Sequence, residues 1–251
     1  MGERTSYAPG TFSWAELVTS DADAAKAFYS AVFGWSYDDL PLGEGQVYSM
    51  AVRDGKTAAA LFAGDQPPHW NCYFTVASVD EAADKAKALG ANVIAEPFDV
   101  MEAGRMAVFA DPTGAIASIW QAGTSIGSQI VNQPGAITWC DLLTRDAERA
   151  QEFYAGLFGW TYEEIPGAQG YRVIKNGERS AGGLMPLQAA DTPPSWMPYF
   201  GHEDLGRLLG EIDGLGGRVF NGPVQMPQGS IAVLGDPQGA AFAVWTGEYD
   251  D

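Results

Sequence analysis

The chain has 251 residues, enough for two ordinary domains, and its 46% of hydrophobic residues favours a folded over a disordered protein. Its 32 acidic and 14 basic side chains give a formal net charge of −18, which repels phosphate backbones and anionic lipid and argues against nucleic acid or a membrane as partner. The start of the chain has no apolar run behind a basic segment, and Cys72 and Cys140 are typical of reduced core thiols, so we expect a cytoplasmic protein.

The first predicted elements are a strand and a helix. Bulky residues alternate with smaller ones over 12–18, which predicts a half-buried strand with Phe12, Trp14 and Glu16 on one face. Asp21 is placed to cap the helix that follows. Because this helix must be covered by the other face of the strand, we expect Trp14 and Glu16 to point away from it.

This opening recurs 125 residues later in the chain. The residues repeated at this spacing include Trp14 and Trp139, Asp21 and Asp146, Phe28-Tyr29 and Phe153-Tyr154, and Phe33-Gly34-Trp35 and Phe158-Gly159-Trp160. An Asp-Pro-x-Gly turn at 111–114 is repeated at 236–239. The duplication predicts a first domain over 1–122, a linker over 123–134 and a second domain over 135–251.

Each half contains the same pattern twice. A strand and a helix are followed by three strands, and prolines at 67–68 separate the two units of the first half. A two-residue Asp54-Gly55 turn joins two of these strands as a hairpin. The sequence therefore predicts an α+β protein of four βαβββ units in tandem.

These units, with Phe-Tyr-x-x-x-Phe-Gly-Trp after each opening strand and Asp-Pro-x-Gly before each last strand, resemble the vicinal oxygen chelate superfamily. That group includes glyoxalase I, the extradiol dioxygenases and the bleomycin resistance proteins, and the pattern is most similar to its two-domain actinobacterial glyoxalase-like branch. The resemblance implies two glyoxalase-like domains, each a cup of curved sheet around a cavity. In the enzymes of the superfamily, a divalent metal on the cavity floor is held by the first strand of each unit and by the last strand.

The positions that the resemblance assigns to metal ligands do not carry a ligand set. They are occupied by Trp14, Asn71 and Ser118 in the first half and by Trp139, Met197 and Ala243 in the second. Indole and thioether groups do not replace imidazole or carboxylate at a hard or borderline cation. The two histidines, His69 and His202, lie outside these positions. We therefore expect no metal and no other cofactor.

The faces predicted to line the cups are rich in aromatic residues with a few separated polar groups. Such walls are typical of a site for a flat, partly apolar small molecule, although the same residues could instead fill a collapsed cup as ordinary core. The residues expected on these faces are Trp14, Glu16, Asn71, Tyr73, Ser118 and Trp120 in the first half, and Trp139, Asp141, Met197, Tyr199 and Trp245 in the second.

Glu16 and Asp141 are the candidate catalytic residues. A carboxylate in the middle of a strand must find partners or raise its pKa. Either residue could act as a general base, bind a hydroxyl-bearing or cationic ligand, pair with a strand-borne Arg105 or Arg172, or hold the duplicated halves together.

Three functions remain open from the sequence alone. The first is a metal-free binding protein for an aromatic or amphipathic metabolite or antibiotic. The second is an enzyme: a metal-independent lyase or isomerase, or a glyoxalase-like or dioxygenase-like enzyme with a displaced metal site. The third is a scaffold with filled cups. Because the duplication could replace a dimer of single-domain relatives, the protein is expected to be a monomer or a homodimer.

Overall fold

The computed structural model describes residues 2–43, 45–168, 170–187 and 192–249, and each half contributes one eight-stranded curved sheet. The elements of the first half are β1 (Phe12–Thr19), α1 (Ala22–Phe33), β2 (Ser36–Gly43), β3 (Gln46–Arg53), β4 (Lys56–Ala63), β5 (His69–Thr75), α2 (Val79–Ala88), β6 (Asn92–Val100), β7 (Gly104–Ala110) and β8 (Ile116–Ala122). Those of the second half are β9 (Ile137–Thr144), α3 (Ala147–Phe158), β10 (Thr161–Glu164), β11 (Arg172–Asn176), β12 (Arg179–Pro186), β13 (Ser195–Gly201), α4 (Leu205–Glu211), β14 (Arg218–Met226), β15 (Gly229–Gly235) and β16 (Ala241–Gly247).

The strand order shows how two βαβββ units form each sheet. The first sheet has the order β2-β3-β4-β1-β5-β8-β7-β6, and the second repeats it as β10-β11-β12-β9-β13-β16-β15-β14. The opening strands of the two units pair antiparallel, β1 with β5, and each is flanked by a parallel neighbour, β4 or β8. The predicted α+β fold of tandem units is confirmed, and the residues expected to form the sites lie on the central strands.

The predicted start and end of the first helix are confirmed. The Asp21 side chain accepts a hydrogen bond from the main-chain N–H of Ala24, and Gly34 ends the helix with a left-handed φ of 67°, which glycine adopts without strain. Helix α1 buries Phe28 and Tyr29 among others against the sheet.

The prediction that Phe12 shares a face with Trp14 is wrong. The pairing of β1 with β5 shifts register between these two residues, as in a β-bulge. Because a bulge adds one residue to a strand, it reverses the alternation of faces at that point. Phe12 therefore packs in the main core with Leu17, whereas Trp14 belongs to a separate cluster on the other face.

The two halves share one hydrophobic core. Phe33 and Trp70 of the first half pack on Phe200 of the second, with ring centroids 5.1 and 5.0 Å away. The tryptophans of the two Phe-Gly-Trp motifs also reach across: Trp35 Nε1 donates to the carbonyl of Gly135, and Trp160 Nε1 donates to that of Gly10. The helices therefore lie between the sheets, and the opposite face of each sheet carries its own smaller cluster.

The Phe-Tyr and Asp-Pro-x-Gly motifs meet across the same boundary. Tyr29 OH donates to Asp236 Oδ2 over 3.1 Å and accepts from Trp70 Nε1 over 3.1 Å. The other carboxylate oxygen of Asp236 accepts three main-chain N–H groups of its own turn. Tyr154 and Asp111 match Tyr29 and Asp236 in the repeat. Burial raises the pKa of Tyr154, and the nearby Asp111 carboxylate raises it further. The repeated motifs thus bind one half to the other.

The segment that follows β8 lies against the first sheet. Ser128 is fully buried, and its main-chain N–H donates to the carbonyl of Ser13 over 2.8 Å. Gly127 approaches the same strand so closely that a Cβ would lie 2.4 Å from the carbonyl oxygen of Ser13. The limits proposed for the two domains and the linker remain predictions. Of the helices in the described ranges, none combines the length and the apolar character needed to cross a membrane.

Candidate functional site: two tyrosine-bound carboxylates

The concave face of the first sheet holds Glu16 between two tyrosines. Glu16 is in the middle of β1, opposite Ala60 of β4 and Asn71 of β5. Tyr73 OH donates to Glu16 Oε1 over 2.7 Å, and Tyr48 OH donates to Oε2 over 2.8 Å. Each carboxylate oxygen therefore receives a phenol hydrogen bond, one from the adjacent strand β5 and one from β3 across the intervening β4.

Burial dominates the protonation of this group. The side chain is only 8% exposed, and loss of solvation raises the pKa of Glu16 above its ordinary value. Hydrogen bonds from Tyr73, Tyr48 and Asn71 lower the pKa in part by stabilising the ionised form. In turn, burial and the Glu16 charge raise the pKa of Tyr73 well above its ordinary value, so this phenol stays protonated as a donor.

The second sheet repeats the arrangement with a shorter acid. Asp141 is 2% exposed, and Tyr199 OH donates to its Oδ2 while Tyr171 OH donates to its Oδ1 over 2.9 Å. Trp139 Nε1 adds a third bond to Oδ1, also over 2.9 Å. Burial raises the pKa of Asp141, and the same three donors oppose the rise.

A glycine makes room for the shorter acid. Gly183 of β12 pairs with Asp141 at the place where Ala60 pairs with Glu16. A Cβ on Gly183 would lie 2.0 Å from Tyr171 OH and 2.2 Å from Asp141 Oδ1, distances that atoms do not tolerate. The Tyr171–Asp141 hydrogen bond therefore lies directly over the bare backbone of Gly183.

Tyr48, Tyr171 and Gly183 were missed by the sequence analysis. Tyr48 and Tyr171 occupy matching places. Tyr48 comes two residues before the β3 residue that pairs with Ala60, and Tyr171 comes two residues before the β11 residue that pairs with Gly183. They are 123 residues apart rather than 125, because the strands before the hairpin differ in length between the halves. Comparing the tyrosines that precede the two hairpin turns would have found the pair.

Two interpretations of the acids are wrong. Arg105 pairs with Asp80 and Asp99, each over 2.9 Å, and Arg172 pairs with Glu148 and with Glu164 at the surface. An arginine close to several exposed acids keeps its hydration there, whereas a buried ion pair would cost desolvation of both groups. The partners of Glu16 and Asp141 are tyrosines, with Asn71 as a further donor to Glu16 and Trp139 as a further donor to Asp141.

The acids also do not hold the halves together. The hydrogen-bond donors to Glu16 all come from the first half, and those to Asp141 all come from the second. The bonds that cross the boundary include those of Tyr29, Trp35 and Trp160.

The structure brings most of the predicted first-face residues together. Trp14, Tyr73 and Trp120 form one cluster with Met106. Ser118 is fully buried opposite Tyr73. Trp120 Nε1 donates to the carbonyl of Ser125, so its indole N–H is already used.

On the second face, the predicted residues separate into two places. Met197, Tyr199 and Trp139 pack together beside Asp141. Trp245 lies instead over Gly229, and its indole N–H donates to the carbonyl of Glu248. It therefore does not contribute a hydrogen bond to the carboxylate.

A family model described as the Glyoxalase/Bleomycin resistance protein/Dioxygenase superfamily matches residues 11–117 and again residues 136–244. The chain belongs to this superfamily. The resemblance inferred from the repeated motifs is confirmed.

Relatives of full length support the same assignment. The protein named "Putative glyoxylase CFP32" of Mycobacterium tuberculosis is 41% identical over 254 residues, covering 97% of this chain and 97% of the relative. The anthracycline biosynthesis protein DnrV of Streptomyces peucetius is 30% identical over 263 residues, covering 96% of this chain and 94% of the relative.

Solved structures of the superfamily share the fold at low identity. The Mn(II)-bound glyoxalase from Novosphingobium aromaticivorans superposes with a TM-score of 0.69 at 14% identity, covering 100% of this chain and 85% of that one. The 2,3-dioxygenase LapB from Pseudomonas sp. KL28 gives a TM-score of 0.67 at 15% identity, covering 96% of this chain and 94% of that one.

The residues present do not fit the metal that the superfamily's enzymes use. Among the described residues, no group of three or more His, Cys, Asp or Glu side chains converges as a metal site would require. Glu16 and Asp141 each accept two phenol hydrogen bonds. His202 accepts from the main-chain N–H of Asp204, and His69 Nδ1 lies 2.7 Å from the carbonyl of Pro67. Phenol and indole groups suit hydrogen bonds to an organic ligand rather than coordination of a hard or borderline cation.

Proposed function

We propose that the protein binds a flat, partly apolar small molecule on a concave face without a metal. The observation that supports this most is that other residues replace the metal ligands at the centre of each sheet. At the positions where the superfamily's enzymes hold a metal, the chain has aromatic, amide, hydroxyl and small apolar residues, and beside them a carboxylate held by two tyrosines. Aromatic walls with a few fixed polar groups suit a planar ligand that carries hydroxyl groups.

The second face is the better site. Trp139 is half-buried there, so its ring is partly accessible, whereas the matching Trp14 on the first face is only 7% exposed. A ligand hydroxyl could replace Tyr171 and donate a hydrogen bond to the buried Oδ1 of Asp141, while Oδ2 stays bound to Tyr199.

The names of the full-length relatives favour a ligand class. Two proteins named for anthracycline biosynthesis match nearly the whole chain at 30% identity. We infer that the ligand is a fused aromatic molecule with hydroxyl groups, and that binding sequesters or presents it.

The test is a titration of metal-depleted protein with a dihydroxyanthraquinone as probe, followed by tryptophan fluorescence and calorimetry. Saturable binding is expected, unchanged by a chelator. Trp139→Phe should weaken binding about tenfold, because the variant loses both indole stacking area and the donor that orders Asp141.

Trp14→Phe is the matched change on the first face and should leave the affinity unchanged. Loss of binding in this variant but not in Trp139→Phe would transfer the site to the first face. Absence of binding by any hydroxylated fused aromatic, or binding only after manganese or iron is added, would refute the proposal.

A metal-independent enzyme is the second candidate, favoured by the raised pKa values of Glu16 and Asp141. A carboxylate of raised pKa is a stronger base and could remove a proton next to a carbonyl in a lyase or isomerase reaction. Exchange of such a proton with deuterium, in metal-depleted protein and abolished by Asp141→Asn, would favour this candidate over binding alone.

A further inference from the structure

A groove of about 630 Å³ lies beside the second sheet and borders the second concave site, with which it shares Trp139. It lies between the N-terminal segment and strands β9 and β12. Its lining includes Arg4, Thr138, Arg179, Ser180 and Ala181.

The corresponding place in the first half is filled by the chain itself. The segment 127–129 lies there in hydrogen-bonded contact with β1 and β4. Ser128 Oγ donates to the carbonyl of Ala58 over 2.7 Å, and Gln129 N donates to the carbonyl of Thr57 over 2.8 Å. The main-chain N–H of Thr57 donates back to Gln129 Oε1 over 3.0 Å. An irregular segment, with a φ of 101° at Gly127, therefore fills the gap between β1 and β4, the first seam.

The second half presents the same backbone without that segment. By the register of the sheets, Thr138 matches Ser13, and Ser180 and Ala181 match Thr57 and Ala58. These second-half residues line the open groove.

By the 125-residue repeat, the N-terminal residues Glu3 and Arg4 match Ser128 and Gln129. They do not enter the second seam. Arg4 N instead donates to the carbonyl of Gln129, and Glu3 pairs with Ile130 in an antiparallel bridge. The two-fold likeness of the halves is broken at this place.

The basic side chain of the first seam has an acidic partner, whereas that of the second seam has none among the described residues. Lys56 of the first seam forms an ion pair with Glu3 over 3.3 Å. Arg179 matches Lys56 in the sheet and is exposed, and within the described part of the chain neither Arg179 nor Arg4 pairs with a carboxylate. Two such cations in one groove are notable in a chain of net charge −18.

We propose that this groove binds an extended acidic peptide segment of another protein. The peptide main chain bonds to the carbonyls of Thr138 and Ser180, as the main-chain N–H groups of Ser128 and Gln129 bond to Ser13 and Thr57 at the first seam, and a carboxylate of the peptide pairs with Arg179. The main chain thus supplies affinity and one charged side chain supplies selectivity. Trp139 lines both this groove and the second concave site, but the contacts proposed for the peptide do not use it.

The test uses a peptide copied from the first seam. The peptide is fluorescein-labelled, spans residues 125–131 and carries Ile130→Glu. Ile130 pairs with Glu3 in the first half, so this change gives the peptide a carboxylate close to the position of the Glu3 carboxylate. Its binding to the full-length protein is followed by fluorescence anisotropy. Saturable binding is expected, weakened about fivefold by Arg179→Gln and to a similar extent when the peptide carries Ile130→Gln instead, as removal of one partly exposed ion pair predicts.

Arg149→Gln is the matched control, because Arg149 is an exposed arginine of α3 outside the groove. It should bind the peptide as the unchanged protein does. Circular dichroism checks that each variant is folded.

Absence of saturable binding up to about 1 mM peptide, or equal affinity in Arg179→Gln, would overturn the proposal. So would binding of a small aromatic acid such as 2-naphthoate, with dependence on Arg179, by a protein that does not bind the peptide. The groove would then be a small-molecule subsite.

Discussion

Replacement of Gly183 by alanine tests the geometry of the second carboxylate directly. The added Cβ would lie 2.0 Å from Tyr171 OH and 2.2 Å from Asp141 Oδ1, so each atom would have to move by more than an ångström to reach ordinary contact. The Tyr171–Asp141 hydrogen bond cannot survive that movement. Loss of a hydrogen bond to a buried acid costs about 1.5–3 kcal/mol, and overpacking adds about 1–3 kcal/mol.

The expected loss in free energy of unfolding is therefore about 3–5 kcal/mol, measured by urea denaturation with tryptophan fluorescence. The same substitution at Gly210 of α4 is the matched control. A Cβ there meets no atom within 4 Å, so alanine should stabilise the helix by roughly 0.5–1 kcal/mol.

The effect of Gly183→Ala should also shrink in a Tyr171→Phe background, because the atom nearest to the new Cβ is then absent. A loss below about 1 kcal/mol in Gly183→Ala, or an equal loss at Gly210, would refute the close packing of Tyr171 and Asp141 over this glycine.

Three further predictions concern the boundary, the acids and metal. Tyr29→Phe removes the bond to Asp236 and should lower the free energy of unfolding by about 1.5–3 kcal/mol. Tyr162→Phe is the control, because the Tyr162 hydroxyl has no hydrogen-bond partner within the described ranges, and it should change the free energy of unfolding by less than about 0.5 kcal/mol. Equal losses in the two variants would contradict a stabilising bond between Tyr29 and Asp236. Because burial raises the folded pKa of Glu16 and of Asp141, these two groups bind more protons in the folded state. Their contribution to stability should be complete below the unfolded pKa values and should be lost as pH rises through the folded ones, by about 1.4 kcal/mol for each unit by which a pKa is raised. Urea denaturation between pH 4 and about pH 8 should show a smaller fall in Glu16→Gln and in Asp141→Asn, and an unchanged profile would exclude these groups as its cause. Elemental analysis of protein purified without added metal should find less than about a tenth of an equivalent of manganese, iron, zinc or nickel, and about one equivalent would overturn the interpretation of the site.

The fold and the acids at the centre of each sheet could be predicted from local sequence. The duplication is visible in repeated motifs, and strand alternation was sufficient to place Glu16 with Tyr73 and Asp141 with Tyr199 on one face. Each of these pairs lies on adjacent strands that are the opening strands of consecutive units. The metal-free small-molecule site itself remains a prediction.

The parts that sequence reasoning missed depend on distances between strands. Tyr48 and Tyr171 reach the acids across an intervening strand, and nothing in their own neighbourhood indicates a buried partner. The close approach of Tyr171 OH and Asp141 Oδ1 to the backbone of Gly183 depends on the positions of three strands, which no local pattern records. Phe12 was misplaced because a bulge leaves no mark in the alternation of residue sizes.

The crossed contacts of the repeated motifs bear on how such a chain could have arisen. Each half carries one tyrosine and one aspartate that meet their counterparts in the other half, Tyr29 with Asp236 and Tyr154 with Asp111. A half expressed by itself would expose its tyrosine and its aspartate, one member of each pair, on one apolar surface, and this surface is complementary to itself by rotation. Two copies of one half could therefore associate through the contacts that now lie within a single chain, as an ancestral dimer would before its genes fused. Fusion would then have freed each half to diverge, and the different acids and the one open seam are the places where divergence is recorded.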